Sequence, residues 1–136
     1  MIVVDTNVWS ETLRPAPDPR VLAWLRANAA ELHLPALVVH EPRYGLAILP
    51  DGRRRADLTE RVEAMLSRLA GRVLPYDADV AATHAHLRAD ARARGREPSA
   101  QDGQIAAHAV HASAPLATRN VGDFENLGID VLNPWD

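Results

Sequence analysis

The sequence predicts an α/β fold, a parallel sheet of roughly five strands covered by helices on both faces. Short apolar runs, each long enough for a strand, alternate along the chain with longer segments of helical periodicity. Short links join these segments, which is typical of parallel strands connected by right-handed crossovers. The first run, Ile2-Val3-Val4, carries no polar residue and therefore suits a strand buried on both faces.

Turn and capping residues divide the chain into elements. Asp18 and Pro19 suit the N-cap and first residue of one helix, and Asp77 suits the N-cap of another. Gly71 and Gly95 favour helix ends. We therefore predict strands over 1–5, 31–35, 72–76, 115–120 and 129–133, and helices over 6–14, 18–30, 37–49, 55–71, 77–95 and 98–113.

Two stretches do not fit this scheme smoothly. Pro42 falls in the interior of the third helix, where proline costs about 3 kcal/mol, so we expect the helix to start late or to kink. Arg53-Arg54-Arg55 falls in a predicted turn between helices. It is either a solvated charged start to the next helix or a basic patch that follows RNA.

Composition sets the broad class. The chain has 136 residues, of which 47% are hydrophobic, so we expect one domain over 1–136. It has no cysteine, which excludes disulfides and thiolate metal sites. No stretch resembles a secretory signal or a membrane span, and we expect a cytoplasmic protein without membrane contact. The net charge of -3 argues against tight unaided binding to nucleic acid.

Acidic residues recur at predicted element ends. Asp5 and Asn120 follow the first and fourth strands, so their side chains meet if those strands are neighbours. Asp5 can instead simply cap the next helix. Asp102 has a similar alternative, because Ser99 and Asp102 form a capping box. Glu41 lies among apolar residues, and burying it is costly unless it is paired or binds a cation.

A cluster of such carboxylates predicts a divalent cation. Close carboxylates repel one another and raise each other's pKa values unless a metal ion lies between them. Oxygen ligands without cysteine favour Mg²⁺ or Mn²⁺ over zinc. Mg²⁺ commonly binds one or two carboxylates together with substrate phosphates. The predicted reaction is therefore metal-assisted hydrolysis of a phosphodiester. For all six histidines we expect solvated or capping roles.

The ordered set of motifs resembles a known family. MIVVDTNVWSE, the acid of VVHEPRYG, SAQDGQIAAHA, LATRNVGDF and the closing NPWD are similar to PIN-domain proteins, and more narrowly to VapC-type toxins of bacterial toxin–antitoxin pairs. The resemblance implies a three-layer α/β/α sandwich and an endoribonuclease that depends on magnesium or manganese. This sequence departs from the family pattern at His40 and Pro42, and at Gly103, where alanine is usual.

The resemblance also implies roles for single residues. Asp5, Glu41 and Asp102 match the catalytic, metal-binding acidic triad, and Asn120 and Asp123 share the fourth position. Around these acids, short polar side chains suit orienting roles, and Arg119 could hold a scissile phosphate or pair with a pocket acid. The residues expected to orient the acids are Thr6, Asn7, Ser99 and Thr118.

Partners follow from the same resemblance. It implies a VapB-like antitoxin, contact with operator DNA only through that antitoxin, an RNA substrate and a homodimer. A second interpretation also fits: a regulatory partner within a DNA-bound complex, with an idle or very slow nuclease site. Pro42 beside Glu41 is the feature that would favour it, because catalytic groups are sensitive to displacements of about 1 Å.

Overall fold

The computed structural model describes residues 1–136 and contains one five-stranded sheet with helices on both faces, as the sequence predicts. The strands are β1 (Ile2–Val4), β2 (Leu32–Pro35), β3 (Val73–Leu74), β4 (Leu116–Ala117) and β5 (Val131–Leu132). The helices are α1 (Thr6–Glu11), α2 (Pro19–Ala27), α3 (Ala36–Ile48), α4 (Arg53–Arg68), α5 (Ala78–Ala93), α6 (Ala100–Ala112) and α7 (Val121–Phe124). None of the helices combines the length and apolarity needed to cross a bilayer.

The strand order creates a crevice beside β1. The order is β3-β2-β1-β4-β5, and every pair is parallel. The chain builds outward from β1 in one direction and then returns to build β4 and β5 on the other side. Ligands bind at such a reversal point, outside the carboxyl ends of the strands. The first and fourth strands are neighbours, so the condition under which the Asp5 and Asn120 side chains were expected to meet is fulfilled.

The central strand is buried on both faces, as its composition predicts. Val3 and Val4 have no exposed surface, and neither do Leu116 and Ala117 of β4. Helix α6 packs beside β1 and presents Ile105 to the same core. This rigid centre holds the carboxyl ends of β1 and β4 in fixed positions.

Capping residues set the helix starts where they were predicted. Asp18 accepts a hydrogen bond from the Arg20 amide at 2.9 Å, and Asp77 accepts one from the Val80 amide at 3.0 Å. Several ends differ from the prediction. Helix α1 ends at Glu11 rather than near residue 14, and α2 ends at Ala27, where the Asn28 side chain bonds the Trp24 carbonyl at 2.8 Å.

The helices differ from the prediction in three respects. Helix α3 begins at Ala36, six residues before Pro42, so the helix does not start late, and of the two alternatives only a kink remains. Arg53-Arg54-Arg55 does not lie in a turn but forms the first turn of α4. Helix α7 was not predicted, because four residues that include Gly122 show no periodicity.

Candidate functional site

Asp5 lies at the carboxyl end of β1 and uses both carboxylate oxygens. Oδ1 accepts a hydrogen bond from the Thr6 amide at 2.7 Å, which caps α1. Oδ2 accepts bonds from the Thr118 hydroxyl at 2.8 Å and the Asn7 side-chain amide at 3.2 Å. The capping interpretation of Asp5 is therefore correct but incomplete, because only one of the two oxygens caps the helix.

Thr118 connects the ends of β1 and β4. It is fully buried, donates to Asp5, and accepts bonds from the Asn7 side chain at 3.2 Å and from the Asn120 amide at 3.1 Å. Asn7 in turn accepts a bond from the Arg119 amide at 3.1 Å. Of the short polar residues predicted to orient the acids, Asn7 and Thr118 bond Asp5 through their side chains and Thr6 through its backbone amide, and this network fixes the orientation of the carboxylate.

An acidic pocket opens above this network. Its cavity volume is about 360 Å³, and no hydrophobic residue lines it. The pocket carries three carboxylates and no basic side chain. The lining residues are Asp5, Thr6, Asn7, Ser10, Glu41, Gln101, Asp102 and Asn120.

Glu41 and Asp102 reach the pocket from α3 and α6. The N-terminus of α6 is fixed by Ser99, whose hydroxyl accepts a bond from the Asp102 amide at 3.1 Å. Glu41 is exposed to solvent, so the expectation that it is buried among apolar residues is wrong. The buried positions of α3 are Val38 and Leu46. Glu41 nevertheless lines the pocket with the other two acids.

The surroundings of the pocket raise the pKa values of two of its acids. Burial raises the pKa of Asp5, and the charges of Asp102 and Asp123 raise it further, against the lowering effect of the hydrogen bonds from Thr118 and Thr6. Burial also raises the pKa of Asp102; the Ser99 side chain lowers it and the charge of Asp123 raises it. A cation in the pocket would offset both the desolvation and the repulsion.

The remaining predicted residues divide between the pocket and its surroundings. Asn120 lines the pocket, whereas Asp123 lies on α7 outside the lining and acts on Asp5 and Asp102 through its charge. The Arg119 guanidinium lies 5.2 Å from the ring centre of Trp135, and Arg119 does not line the pocket.

Sequence reasoning missed two lining residues, Ser10 and Gln101. Ser10 has a positional signal that could have found it, because it lies three residues after Asn7 and residues three or four apart on a helix share a face. Gln101 is adjacent to Asp102 in α6, and adjacent residues do not share a face, so that spacing gives no such signal.

The pocket fits a hard divalent cation by its donors. Every charged group that lines it is a carboxylate, and the Thr6 hydroxyl is buried without a hydrogen-bond partner. No group of three acidic or histidine side chains is arranged to hold a metal ion. Binding an ion with all three acids therefore requires the side chains of Glu41 and Asp102 to turn inward, which their partial or full exposure permits.

A second and larger cavity lies on the far side of α1. This apolar groove has a volume of about 550 Å³, and nine of its fifteen lining residues are hydrophobic. Four arginines, Arg26, Arg61, Arg68 and Arg72, line it as well. A smaller cavity of about 290 Å³ lies between them; it shares Thr6, Ser10 and Glu41 with the pocket, and Trp9, Leu13 and Met65 with the groove.

Comparisons with known proteins agree with the fold and cover the whole chain. The PIN domain family matches residues 2–129. The chain is 46% identical to the VapC ribonuclease Y4jK of Sinorhizobium fredii, over 100% of this chain and 99% of that protein. It is also 46% identical to toxin FitB of Neisseria gonorrhoeae, over 99% of both chains. A solved structure of FitAB bound to an IR36 DNA fragment matches with a TM-score of 0.94 and 45% identity, over 100% of this chain and 96% of that one.

Proposed function

The chain belongs to the PIN-domain family, and from this premise we propose that it is a Mg²⁺- or Mn²⁺-dependent endoribonuclease, the toxin of a toxin–antitoxin pair. The family predicted from the sequence motifs is confirmed. The observation that supports the nuclease is the acidic pocket at the strand-order reversal, which is lined by three carboxylates and by no basic side chain. Relatives of this chain at 46% identity carry the names ribonuclease and toxin.

In the proposed site the chain's own residues hold and orient the reacting groups. Asp5, Glu41 and Asp102 would bind the cation, with Asn120 or Asp123 as a further ligand. When bound, Mg²⁺ or Mn²⁺ polarises a phosphoryl oxygen and lowers the pKa of an attacking water. Thr118 and Asn7 fix the Asp5 carboxylate, and Ser99 fixes the turn that carries Asp102. Asp123 adds negative charge nearby and so strengthens the attraction for a cation.

The proposed partner is a VapB-like antitoxin that fills the apolar groove. A cavity of about 550 Å³ with hydrophobic walls suits the apolar face of a helix. Arg26 and Arg68 line the groove without a salt bridge, so acidic residues on the antitoxin segment would complement them. The solved relative FitAB is bound to DNA as a complex, which supports contact with operator DNA through the antitoxin.

The second interpretation, a regulatory module with an idle site, depended on Pro42 misplacing Glu41. Helix α3 runs through Pro42, and Glu41 lines the same pocket as Asp5 and Asp102. This arrangement favours the nuclease. We keep the single domain over 1–136 as part of the proposal, because one core cluster spans residues from Ile2 to Trp135.

The nuclease is tested by cleavage of labelled RNA with the chain purified free of any partner. We expect cleavage with Mg²⁺ or Mn²⁺, none with EDTA, and none for Asp5→Asn. Asp57→Asn, at an exposed position of α4, is the matched control and should cleave as the unmodified chain does. Metal-independent cleavage, or equal activity of the two variants, would contradict the proposal.

We also propose that the chain forms a homodimer. Tyr44 and Ile48 are four residues apart on α3 and are 57% and 65% exposed, which is unusual for large apolar side chains. Light scattering after size-exclusion chromatography should give twice the 14.9 kDa mass of one chain. Ile48→Glu should reduce the measured mass to that of a monomer.

A further inference from the structure

Gly103 on α6 faces a side chain that leaves no room for a Cβ atom. A Cβ built there would lie 2.6 Å from His84 Nε2 and 3.3 Å from His84 Cδ2. Non-bonded carbon and nitrogen atoms do not approach so closely. Gly45 on α3, also inside a helix, has nothing within 4 Å of the same position. The absence of a Cβ atom at Gly103 therefore leaves the space that the His84 imidazole occupies.

The His84 ring is held in place on its other side. Its Nδ1 lies 2.9 Å from the Tyr76 hydroxyl, with which it shares a hydrogen bond. The Tyr76 ring packs edge-on against His84 and also against His108, which is buried. The expectation that every histidine is solvated or capping is thus wrong for His108. Burial lowers the pKa of His84, and the charge of Arg88 lowers it further.

The turn that His84 contacts carries Asp102. Gly103 follows Asp102 directly, and the Gly103 amide makes the first backbone hydrogen bond of α6, to the Ser99 carbonyl at 2.8 Å. Helices α5 and α6 pack closely along their length. A shift of Gly103 away from His84 would therefore move the Asp102 backbone, and with it a carboxylate of the acidic pocket.

We propose that His84 is a positioning residue for Asp102: its ring, held by Tyr76, fills the space beside Gly103 and fixes the first turn of α6. Gly103 and His84 are then a matched pair, in which a larger residue at one position requires a smaller residue at the other. The positioning role rests on the proposed function of Asp102 as a ligand of the pocket. The size match is independent of that function.

The test is a double-mutant cycle with Gly103→Ala, His84→Ala and the two combined. Mn²⁺ affinity is measured by titration calorimetry without RNA, and kcat and KM are measured for RNA cleavage. We expect Gly103→Ala to weaken Mn²⁺ binding and lower kcat by about 10-fold, with KM little changed, as for other residues that orient metal ligands. The double variant should recover most of this loss. Gly45→Ala, the matched control, should behave as the unmodified chain.

Tyr76→Phe, together with His84→Ala from the cycle, keeps the test decisive if Gly103→Ala fails to fold. Tyr76→Phe retains the ring and removes the hydroxyl, and should weaken Mn²⁺ binding by about 2- to 5-fold. His84→Ala alone should weaken it by a similar factor. A lower Tm with unchanged Mn²⁺ affinity in all variants, or losses that simply add in the double variant, would overturn the proposal.

Failure of the nuclease proposal gives a different result. If the unmodified chain binds no Mn²⁺ and cleaves no RNA, the proposed function fails, and the pair is judged from backbone amide chemical shifts. Gly103→Ala should then shift the amides of Gln101 and Asp102, and the double variant should return them towards their original positions. Amides that do not shift, or do not return, would overturn the positioning role.

Discussion

The acidic pocket and the apolar groove lie on either side of α1 and differ in size and in chemistry. The pocket has a volume of about 360 Å³ and no hydrophobic lining residue. The groove has a volume of about 550 Å³, and nine of its fifteen lining residues are hydrophobic. Small polar cavities suit ions and phosphates, whereas a long apolar groove suits another polypeptide segment. The larger cavity is therefore not the one lined by the acids that we propose to be catalytic.

Helix α1 contributes lining residues to both the pocket and the groove. Thr6, Asn7 and Ser10 line the pocket, whereas Trp9 lines the groove and the cavity between the two. A partner in the groove would therefore press against the helix whose N-terminus is capped by Asp5. If the two regions have separate functions, changes in one should leave the other's function largely intact, and four predictions test this separation.

The largest effect is expected for Glu41→Gln. Loss of a charged ligand should reduce RNA cleavage by more than about 100-fold, because even residues that only orient metal ligands account for 10- to 100-fold. Affinity for the antitoxin should not change. The rate is measured with saturating Mn²⁺, and Glu60→Gln, exposed on α4, is the control. Wild-type cleavage by Glu41→Gln would remove Glu41 from the site.

A smaller loss is expected for Thr118→Val. The variant removes the donor to Asp5, removes one of the two acceptors of the Asn7 side-chain amide and leaves the Asn120 amide without its acceptor. We expect a loss of about 1–3 kcal/mol in the free energy of unfolding and a 10- to 100-fold slower cleavage. Urea unfolding and single-turnover kinetics measure the two effects. Thr59→Val, which loses one bond within α4, should have little effect on cleavage.

In the groove, Arg68→Glu tests the charge proposed to attract the antitoxin. Arg68 is exposed at the end of α4 and lines the groove. Reversing its charge should weaken antitoxin binding by about 10-fold, more at low salt, and leave the cleavage rate unchanged. Arg53→Glu, on the same helix but outside the groove, is the control. Equal effects of the two variants would show that net charge rather than the groove governs binding.

The smallest effect is expected for the stability of Asp102→Asn. Because the folded-state pKa of Asp102 is raised, the folded chain binds more protons than the unfolded chain between the two pKa values. Stability therefore falls as pH rises through this window, and the deficit persists at neutral pH. Asp102→Asn should raise Tm by roughly 1–2 °C at pH 7 without metal, with no difference below pH about 3. Saturating Mn²⁺ should reverse the order.

The elements predicted correctly depend on local signals. The apolar run before Asp5 and the capping residues Asp18, Asp77 and Ser99 each act within a few residues of their own position, so the sequence displays them. The exposure of Glu41, in contrast, could not be predicted from local signals. Helix α3 carries apolar residues on its exposed face as well, including Tyr44 and Ile48, so composition alone does not reveal which face is buried.

The acidic pocket could be predicted only in part, because its residues come from distant segments. That Asp5 and Asn120 lie close together follows from the strand order, which the alternation of elements does not determine; the sequence placed both residues at the carboxyl ends of parallel strands. The match between His84 and Gly103 depends on the packing of α5 against α6, and no pattern in the sequence encodes such a contact. Helix α7 could not be predicted from local sequence either, since a helix of four residues is stabilised mainly by its surroundings.

The bond from Thr118 to Asp5 spans 113 positions of the chain. During synthesis, Asp5 leaves the ribosome early but lacks this partner until residues beyond β4 have followed. The acidic pocket is thus assembled late in translation, after the groove residues on α1, α2 and α4 have emerged. If the antitoxin binds the groove as proposed, a growing polypeptide exposes that binding surface before its proposed nuclease site is complete.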